Sequence, residues 1–298
     1  MLKFWKATIK EIAGDPPVQQ NANDLPVNLV IMGGLSSRQW PGNNFFSQNL
    51  QSQGQFLTWQ PDRKLISKQQ QEYLYFSTIS RAWFSVYLHC KAYFADGTTE
   101  TKTLKNQTFE ADKILIVPVG YAQLELDTEF PDKEILKYTI WLNNSSDPES
   151  YDKRSEPRTY AVDQTEFYKQ TTYFLYQNSL GAFETLRCTG NLEKIVSHGR
   201  QSGKRIIDFT YTQSTRQYFN YDIRSRETVK MNTGYLFRDW KSHLQEFYHS
   251  EGIYEIGSSF LPVVLNTEKL NLPDTRDNIH FDEFEYQYTI ENRSYSNL

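Results

Sequence analysis

The chain has 298 residues and a formal net charge of −4, and 15% of its residues are aromatic. This length favours two domains, and the absence of a basic excess argues against a nucleic-acid-binding protein. The abundance of aromatic residues, with 20 Tyr and 19 Phe, favours strands over helices.

Cys90 and Cys188 are the only cysteines. Two cysteines so far apart form neither a disulfide framework nor a four-ligand zinc site, so we predict buried free thiols. No apolar run approaches the ~20 residues of a membrane span. Residues 1–12 lack the continuous apolar core of a secretory signal. The sequence therefore predicts a chain without a signal peptide or a membrane span.

The first half of the chain reads as strands. Residues 1–26 predict a short strand and a loose segment rich in Pro, Gln and Asn, and residues 27–143 predict a β-sandwich domain. Within it, residues 84–94 alternate strictly, which places Cys90 in the core and His89 on the wetter face.

Further strand and turn signals follow. Asp96-Gly97 predicts a hairpin turn with positive φ. The apolar run ILIVPV (114–119) predicts a strand that is buried on both faces, with its end near an edge at Pro118. Residues 133–143 predict a strand with one apolar face, formed by Leu136, Tyr138, Ile140 and Leu142. Several short strands separated by turns are typical of a sandwich.

Residues 144–158 are polar and contain two prolines, so they predict a linker. The second domain, 159–298, begins with the hairpin YFLYQNSLGAFETLRCTG (173–190), in which Gly181 supplies the positive-φ position. Strands are expected at 205–212, 217–223 and 283–290. A helix is expected near 237–250, because Trp240, Leu244, Phe247 and Tyr248 recur at helical spacing. The predicted fold is therefore all-β, with two antiparallel β-sandwich domains and one α-helix in the second.

The sequence contains only partial matches to known catalytic and ligand-binding motifs. HGRQSGKR (198–205) departs from the phosphate-loop spacing and predicts a polar hairpin loop, and Ser179 lacks the first glycine of a nucleophile elbow. His243 and His249 are six residues apart and lie on different helix faces. His280 and Asp282 share one side of a strand and are expected to form a polar pair at the edge of the core. The sequence therefore predicts no catalytic, cofactor or metal site.

Trp40, Phe45 and Phe46 are the candidate contact residues for a ligand or partner. They lie in SSRQWPGNNFFSQN, where Pro-Gly-Asn-Asn marks an exposed loop and large apolar side chains favour a partner. Stacking on a sugar and contact with a protein both fit this pattern. The alternative is that the three rings pack back onto the sandwich.

Three stretches together resemble uncharacterised prophage-encoded proteins of tail or tail-associated type. They are QFLTWQPDRKLISKQQQEYLYF (55–76), the 173–190 segment, and the C-terminal part from LQEFYHSEGIYEI (244–256) to FEYQYTIEN (284–292). The resemblance implies a structural or host-contacting component of a virion or tail-like particle, and it brings no catalytic residues.

The functional hypothesis is a non-enzymatic structural, adhesion or assembly protein. Its partners would be other protein subunits, either copies of itself or a neighbouring component, because sheet edges can accept a strand from a neighbour. A carbohydrate-binding sandwich module, with a surface glycan as partner, is the alternative. A glycan-active hydrolase is the third hypothesis, and it lacks a convergent site in the sequence.

Overall fold

The computed structural model describes residues 3–5, 8–13, 18–24, 28–30, 54–78, 84–109, 113–150, 154–165, 170–273 and 280–290. These residues form 18 strands and two helices, which confirms the predicted all-β class. The chain divides into two compact units. Unit 1 comprises Met1–Glu166, Tyr176–Thr185 and His249–Glu251, and unit 2 comprises Phe167–Leu175, Leu186–Tyr248 and Gly252–Leu298.

The strands up to residue 162 are β1 (Lys3–Trp5), β2 (Thr8–Ala13), β3 (Val18–Asp24), β4 (Asn28–Val30), β5 (Lys64–Ile66), β6 (Tyr73–Ser77), β7 (Phe84–Phe94), β8 (Thr99–Phe109), β9 (Ile114–Pro118), β10 (Ile135–Asn143) and β11 (Arg158–Val162). The later strands are β12 (Thr172–Gln177), β13 (Phe183–Cys188), β14 (Leu192–Lys204), β15 (Tyr218–Asn232), β16 (Ile253–Ile256), β17 (Phe260–Leu265) and β18 (Glu283–Tyr288). The helices are α1 (Leu126–Glu129) and α2 (Arg238–Tyr248).

Unit 1 contains a five-stranded sheet in the order β5-β11-β10-β7-β8, in which only the β5–β11 pair is parallel. Strands β6 and β9 form a separate antiparallel pair. Their inward side chains, including Phe76 and Val117, share one hydrophobic core with Cys90 and Tyr138 of the larger sheet. These two sheets of unit 1 thus share a common core, and β1 with β4 and β2 with β3 form two further antiparallel pairs in this unit. The polar segment 144–158 leads from β10 to β11, which are neighbours in one sheet of this unit.

The burial of His89 contradicts the prediction that its side of β7 is the more solvent-exposed face. The side chain is fully buried. Its Nε2 lies 3.0 Å from the Ser145 carbonyl and its Nδ1 lies 2.9 Å from Thr103 Oγ1. The β10–β11 connection therefore covers a position that strand alternation alone assigns to solvent.

Two further strands differ from their predicted faces. Leu136 is 43% exposed, because the β7–β10 register shifts between Ile135 and Lys137 and turns it away from the core. Ile116 in β9 is 52% exposed, so this strand is buried on one face only. The apolar run thus predicted the strand correctly. The elements that pack against the strand determine which of its faces is buried.

The seven-stranded sheet has the order β13-β12-β16-β17-β18-β15-β14. In unit 2, helix α2 packs on one face of this sheet through Phe247, whose ring contacts Phe174 and Phe284 edge-on. Phe284 and Tyr286 of β18 are buried on the face of the sheet toward this helix. The predicted helix is confirmed, with bounds slightly shorter than expected.

The two predicted glycine turns are confirmed. Gly97 has φ 83° and Gly181 has φ 80°, a region that favours glycine because a Cβ would crowd the backbone. At the second turn, Asn178 Oδ1 accepts hydrogen bonds from the amides of Leu180 and Ala182. The 173–190 segment is therefore the strand–turn–strand unit that its sequence predicts.

Candidate functional site: the β arm and the outer sheet face

The sequence-predicted contact residues Trp40, Phe45 and Phe46 lie outside the described residues. The other weak candidates have structural partners. Ser179 Oγ accepts a hydrogen bond from Trp59 Nε1 at 3.2 Å. In the part of the chain that the structure describes, no group of three or more His, Cys, Asp or Glu side chains could hold a metal ion.

The Asp282 carboxylate pairs with a buried cation, the Lys241 ammonium. Lys241 Nζ donates to its Oδ1 at 2.6 Å, and the Tyr248 hydroxyl donates to its Oδ2 at 2.5 Å. His280 is also buried, and its backbone pairs with Leu236. His280 and Asp282 are therefore both buried in the segment before β18, and Asp282 joins this segment to α2.

Unit 1 contains a second buried charge pair. Lys64 Nζ lies 2.6 Å from Glu72 Oε1, and Gln70 Nε2 donates to the other carboxylate oxygen at 3.1 Å. Burial raises the pKa of Glu72, and the nearby Lys64 opposes that rise. Since both carboxylate oxygens are engaged within the core, this pair fits a structural role.

The most unusual feature of unit 2 is a long ribbon that leaves its sheet. Strands β14 and β15 pair along their whole lengths, whereas β18 pairs with β15 only over Val229–Asn232. We call the remaining ribbon, residues 196–228, the arm. The nine residues of β14 in the arm span ~30 Å at ~3.3 Å per residue.

The arm ends in a loop that exposes apolar side chains. Residues 205–217 form this loop, and the Arg205 amide donates to the Gln217 carbonyl at 2.8 Å where the two strands meet it. Ile206 and Phe209 are fully exposed, at 101% and 104% of their reference areas. Exposed apolar side chains of this kind favour the binding of a partner, because contact with the partner removes their apolar surface from water.

Apolar exposure continues along the strands of the arm. The exposed residues on the strands are Val196, Tyr218, Tyr221 and Ile223, each at least half exposed. A register shift after Gln201 adds an extra residue to β15 near Tyr221. Scattered exposed apolar residues are ordinary on protein surfaces, but this series follows a single projecting element, which is typical of a docking surface.

The arm is also basic. Residues 196–228 contain six Lys or Arg and three Asp or Glu, so their formal charge is +3 against −4 for the whole chain. Arg224 pairs with Asp222 at 3.1 Å, and the Arg205 guanidinium lies 4.8 Å from the centre of the Phe219 ring. Rings and cations therefore alternate along this surface.

A second surface lies on the face of the same sheet opposite α2. Register pairs place Lys230 opposite Glu285, Asn232 opposite Glu283, and Val264 opposite Gln287, all on the side away from Phe284 and Tyr286. We call this surface the outer face. Its exposed members include Ile195, Val264, Glu283 and Glu285. The outer face thus combines apolar and acidic side chains.

The sequence patterns did not predict the arm. They indicated a strand at 205–212, which is the loop of the arm, and a loop at 198–205, which lies in β14 up to Lys204. Neither strand of the arm buries a face, so hydrophobic alternation gives no signal there. The signal that was present is the high content of Tyr, Phe and Arg in residues 205–226 without an apolar period.

No family model, curated protein or solved structure matches the chain. Among the described residues, neither helix has the length and apolar character that crossing a bilayer requires.

Proposed function

We propose that this chain is a non-enzymatic assembly or adhesion protein, which attaches to a neighbouring protein subunit through the arm. The observation that carries the proposal is the projecting ribbon with fully exposed Ile206 and Phe209 at its end. Protein interfaces favour aromatic residues and Arg, and the arm supplies both. Its strands also have free edges beyond β18, which can accept a strand from a partner.

The assembly proposal accounts for the ionisable groups better than an enzymatic function does. Catalytic acids and bases combine a shifted pKa with a cleft where substrate can bind. Glu72 has a raised pKa, but its oxygens are bound by Lys64 and Gln70 within the core. The resemblance to tail-associated proteins supports the same proposal, under which the protein would be a component of a virion or tail-like particle.

A photo-crosslinking experiment tests the proposal. The photoreactive residue p-benzoylphenylalanine replaces Phe209, and the protein is irradiated in the organism that makes it. We expect a discrete adduct with another polypeptide, which mass spectrometry identifies. A matched variant carries the same residue at Leu136, which is also exposed but lies in unit 1. Absence of an adduct at position 209, or equal labelling at position 136, would overturn the proposal.

Carbohydrate binding is the alternative proposal, and it depends on Trp40, Phe45 and Phe46. A glycan array separates the two functions. Binding of a glycan that Trp40→Ala abolishes, together with no adduct at position 209, would favour the sugar-binding module.

A further inference from the structure

The charges of unit 2 are divided between the arm and the segment that follows it. Residues 196–228 carry +3, whereas residues 233–298 contain five Lys or Arg and eleven Asp or Glu and carry −6. The two regions therefore carry net charges of opposite sign. Complementary charge of this kind steers encounters and fixes the orientation of a complex.

The same complementarity holds for the side chains that are on the surface. Arg200 and Arg216 are exposed on the arm and make no ion pair among the described residues. On the outer face, Glu285 is exposed, and Glu283 is only partly neutralised by Lys230 at 3.3 Å. The arm thus offers cations where the outer face offers carboxylates.

Apolar side chains accompany the charges on both surfaces. Val196 and Ile223 of the arm are each 51% exposed, while Ile195 and Val264 of the outer face are 43% and 47% exposed. Contact between the two surfaces removes both sets from water, which is the main favourable term in protein association. The two surfaces therefore match in charge and in apolar character.

We propose that the arm of one copy of this chain docks across the outer face of a second copy. This inference rests on the proposed function and names its partner. Because the arm and the outer face are different surfaces, each copy has one donor and one acceptor surface, and the contact can be repeated from copy to copy.

The composition of the arm favours a protein surface over a lipid surface. The middle of its loop contains Thr210, Thr212 and Gln213, which are polar and exposed. These polar residues interrupt the exposed apolar residues Ile206, Phe209 and Tyr211 of the loop, whereas a segment that enters a bilayer interface would present a continuous apolar face. Further exposed apolar side chains follow the strands of the arm, as contact along a sheet face requires.

A complementation experiment tests the donor and acceptor surfaces separately. In the arm-shortened variant, Asn-Gly replaces residues 197–226 between the paired residues Val196 and Glu227, since this dipeptide forms a two-residue hairpin turn. In the acceptor variant, Glu283→Lys and Glu285→Lys reverse the charge of the outer face. Circular dichroism and thermal melting confirm that both variants fold.

The readout is the mass in solution, measured by light scattering after size-exclusion chromatography over a range of concentrations. We expect the native chain to associate, each variant alone to be monomeric, and an equimolar mixture of the two variants to form a 1:1 complex. The mixture retains one intact arm and one intact outer face, so only head-to-tail docking restores association. Raising the salt from 0.05 to 0.5 M should weaken the native association about tenfold, because screening reduces the charge attraction.

A control variant carries Glu134→Lys and Glu149→Lys, which reverse two exposed acidic residues of unit 1 and give the same change in net charge. It should associate like the native chain. The inference is overturned if the native chain stays monomeric, if the arm-shortened variant self-associates, or if the mixture remains monomeric. An adduct of position 209 with a different polypeptide, combined with a monomeric native chain, would overturn the second-copy partner and leave the assembly function standing.

Discussion

Lys241 Nζ lies 2.6 Å from Asp282 Oδ1, and both side chains are buried. Lys241 also donates to the Phe281 carbonyl at 2.7 Å. The pair therefore joins α2 to the segment that leads into β18, the strand on which both the outer face and the helix-facing core depend.

We predict that Lys241→Met destabilises the protein by about 3–5 kcal/mol, because it leaves the Asp282 carboxylate buried without a cation. Urea unfolding measures the loss. Lys133→Met is the control, since Lys133 pairs with Glu100 at a comparable 2.9 Å but at the surface. The control should cost less than about 1 kcal/mol. Equal effects of the two substitutions would contradict the prediction.

Asn178 should be the critical polar residue of the 173–190 hairpin. Its Nδ2 donates to Glu184 Oε1 at 2.7 Å and to the Leu57 carbonyl at 2.9 Å, and its Oδ1 holds the turn. We predict that Asn178→Ala costs about 2–4 kcal/mol, because buried partners lose their hydrogen bonds. The free energy of unfolding checks this value. Gln177→Ala, at the neighbouring half-buried position, should change stability by no more than about 0.5 kcal/mol, and a similar loss there would argue against the role of Asn178.

The two cysteines should be unreactive in the folded protein. Burial raises the pKa of the Cys90 thiol from 9.0 to about 12 and raises that of Cys188 well above its usual range. At pH 8 the Cys90 thiolate is therefore about a thousandfold less abundant than in an unperturbed thiol. A thiol reagent should label neither cysteine in buffer and both in urea. Rapid labelling of the native protein would contradict the burial.

The same rise in the pKa of Cys90 sets the direction in which the stability of the protein changes with pH. The folded state keeps the Cys90 proton to higher pH than the unfolded state, so the stabilising contribution is complete below about pH 9. It is lost as the pH rises from about 9 to 12. Thermal melting across this interval should show falling stability, to which Cys90→Ala is less sensitive than the native chain. A parallel decline in both proteins would contradict this cause.

Limited trypsin digestion should cut the arm before the sheets. Lys204, Arg205 and Arg216 are exposed in the arm, whereas Lys64 and Lys241 are buried. Exposed loop ends are preferred sites of proteolysis. Mass spectrometry of a time course should find cleavage at these three positions before any cleavage in the described sheet strands outside the arm. Docking on a second copy should slow the arm cleavage at high protein concentration, and a rate independent of concentration would argue against that docking.

The sequence alone determined the local elements. Strict alternation identified residues 84–94 as a strand, Asp96-Gly97 and Gly181 marked turns with positive φ, and helical spacing of Leu244 and Phe247 located α2. These features depend on neighbouring residues and on the backbone conformations that each residue type allows. They could therefore be predicted without knowing which strands and helices pack against one another.

The tertiary structure decided which faces are covered. His89 is buried because a later connection folds over it, and Leu136 is exposed because a register shift turns it outward. The arm was not predictable by periodicity, because neither of its strands buries a face, and its extent follows from where the pairing of β18 with β15 stops. Burial depends on contacts between residues that are distant in the chain, and so the candidate docking surface appeared only when the strands were assembled.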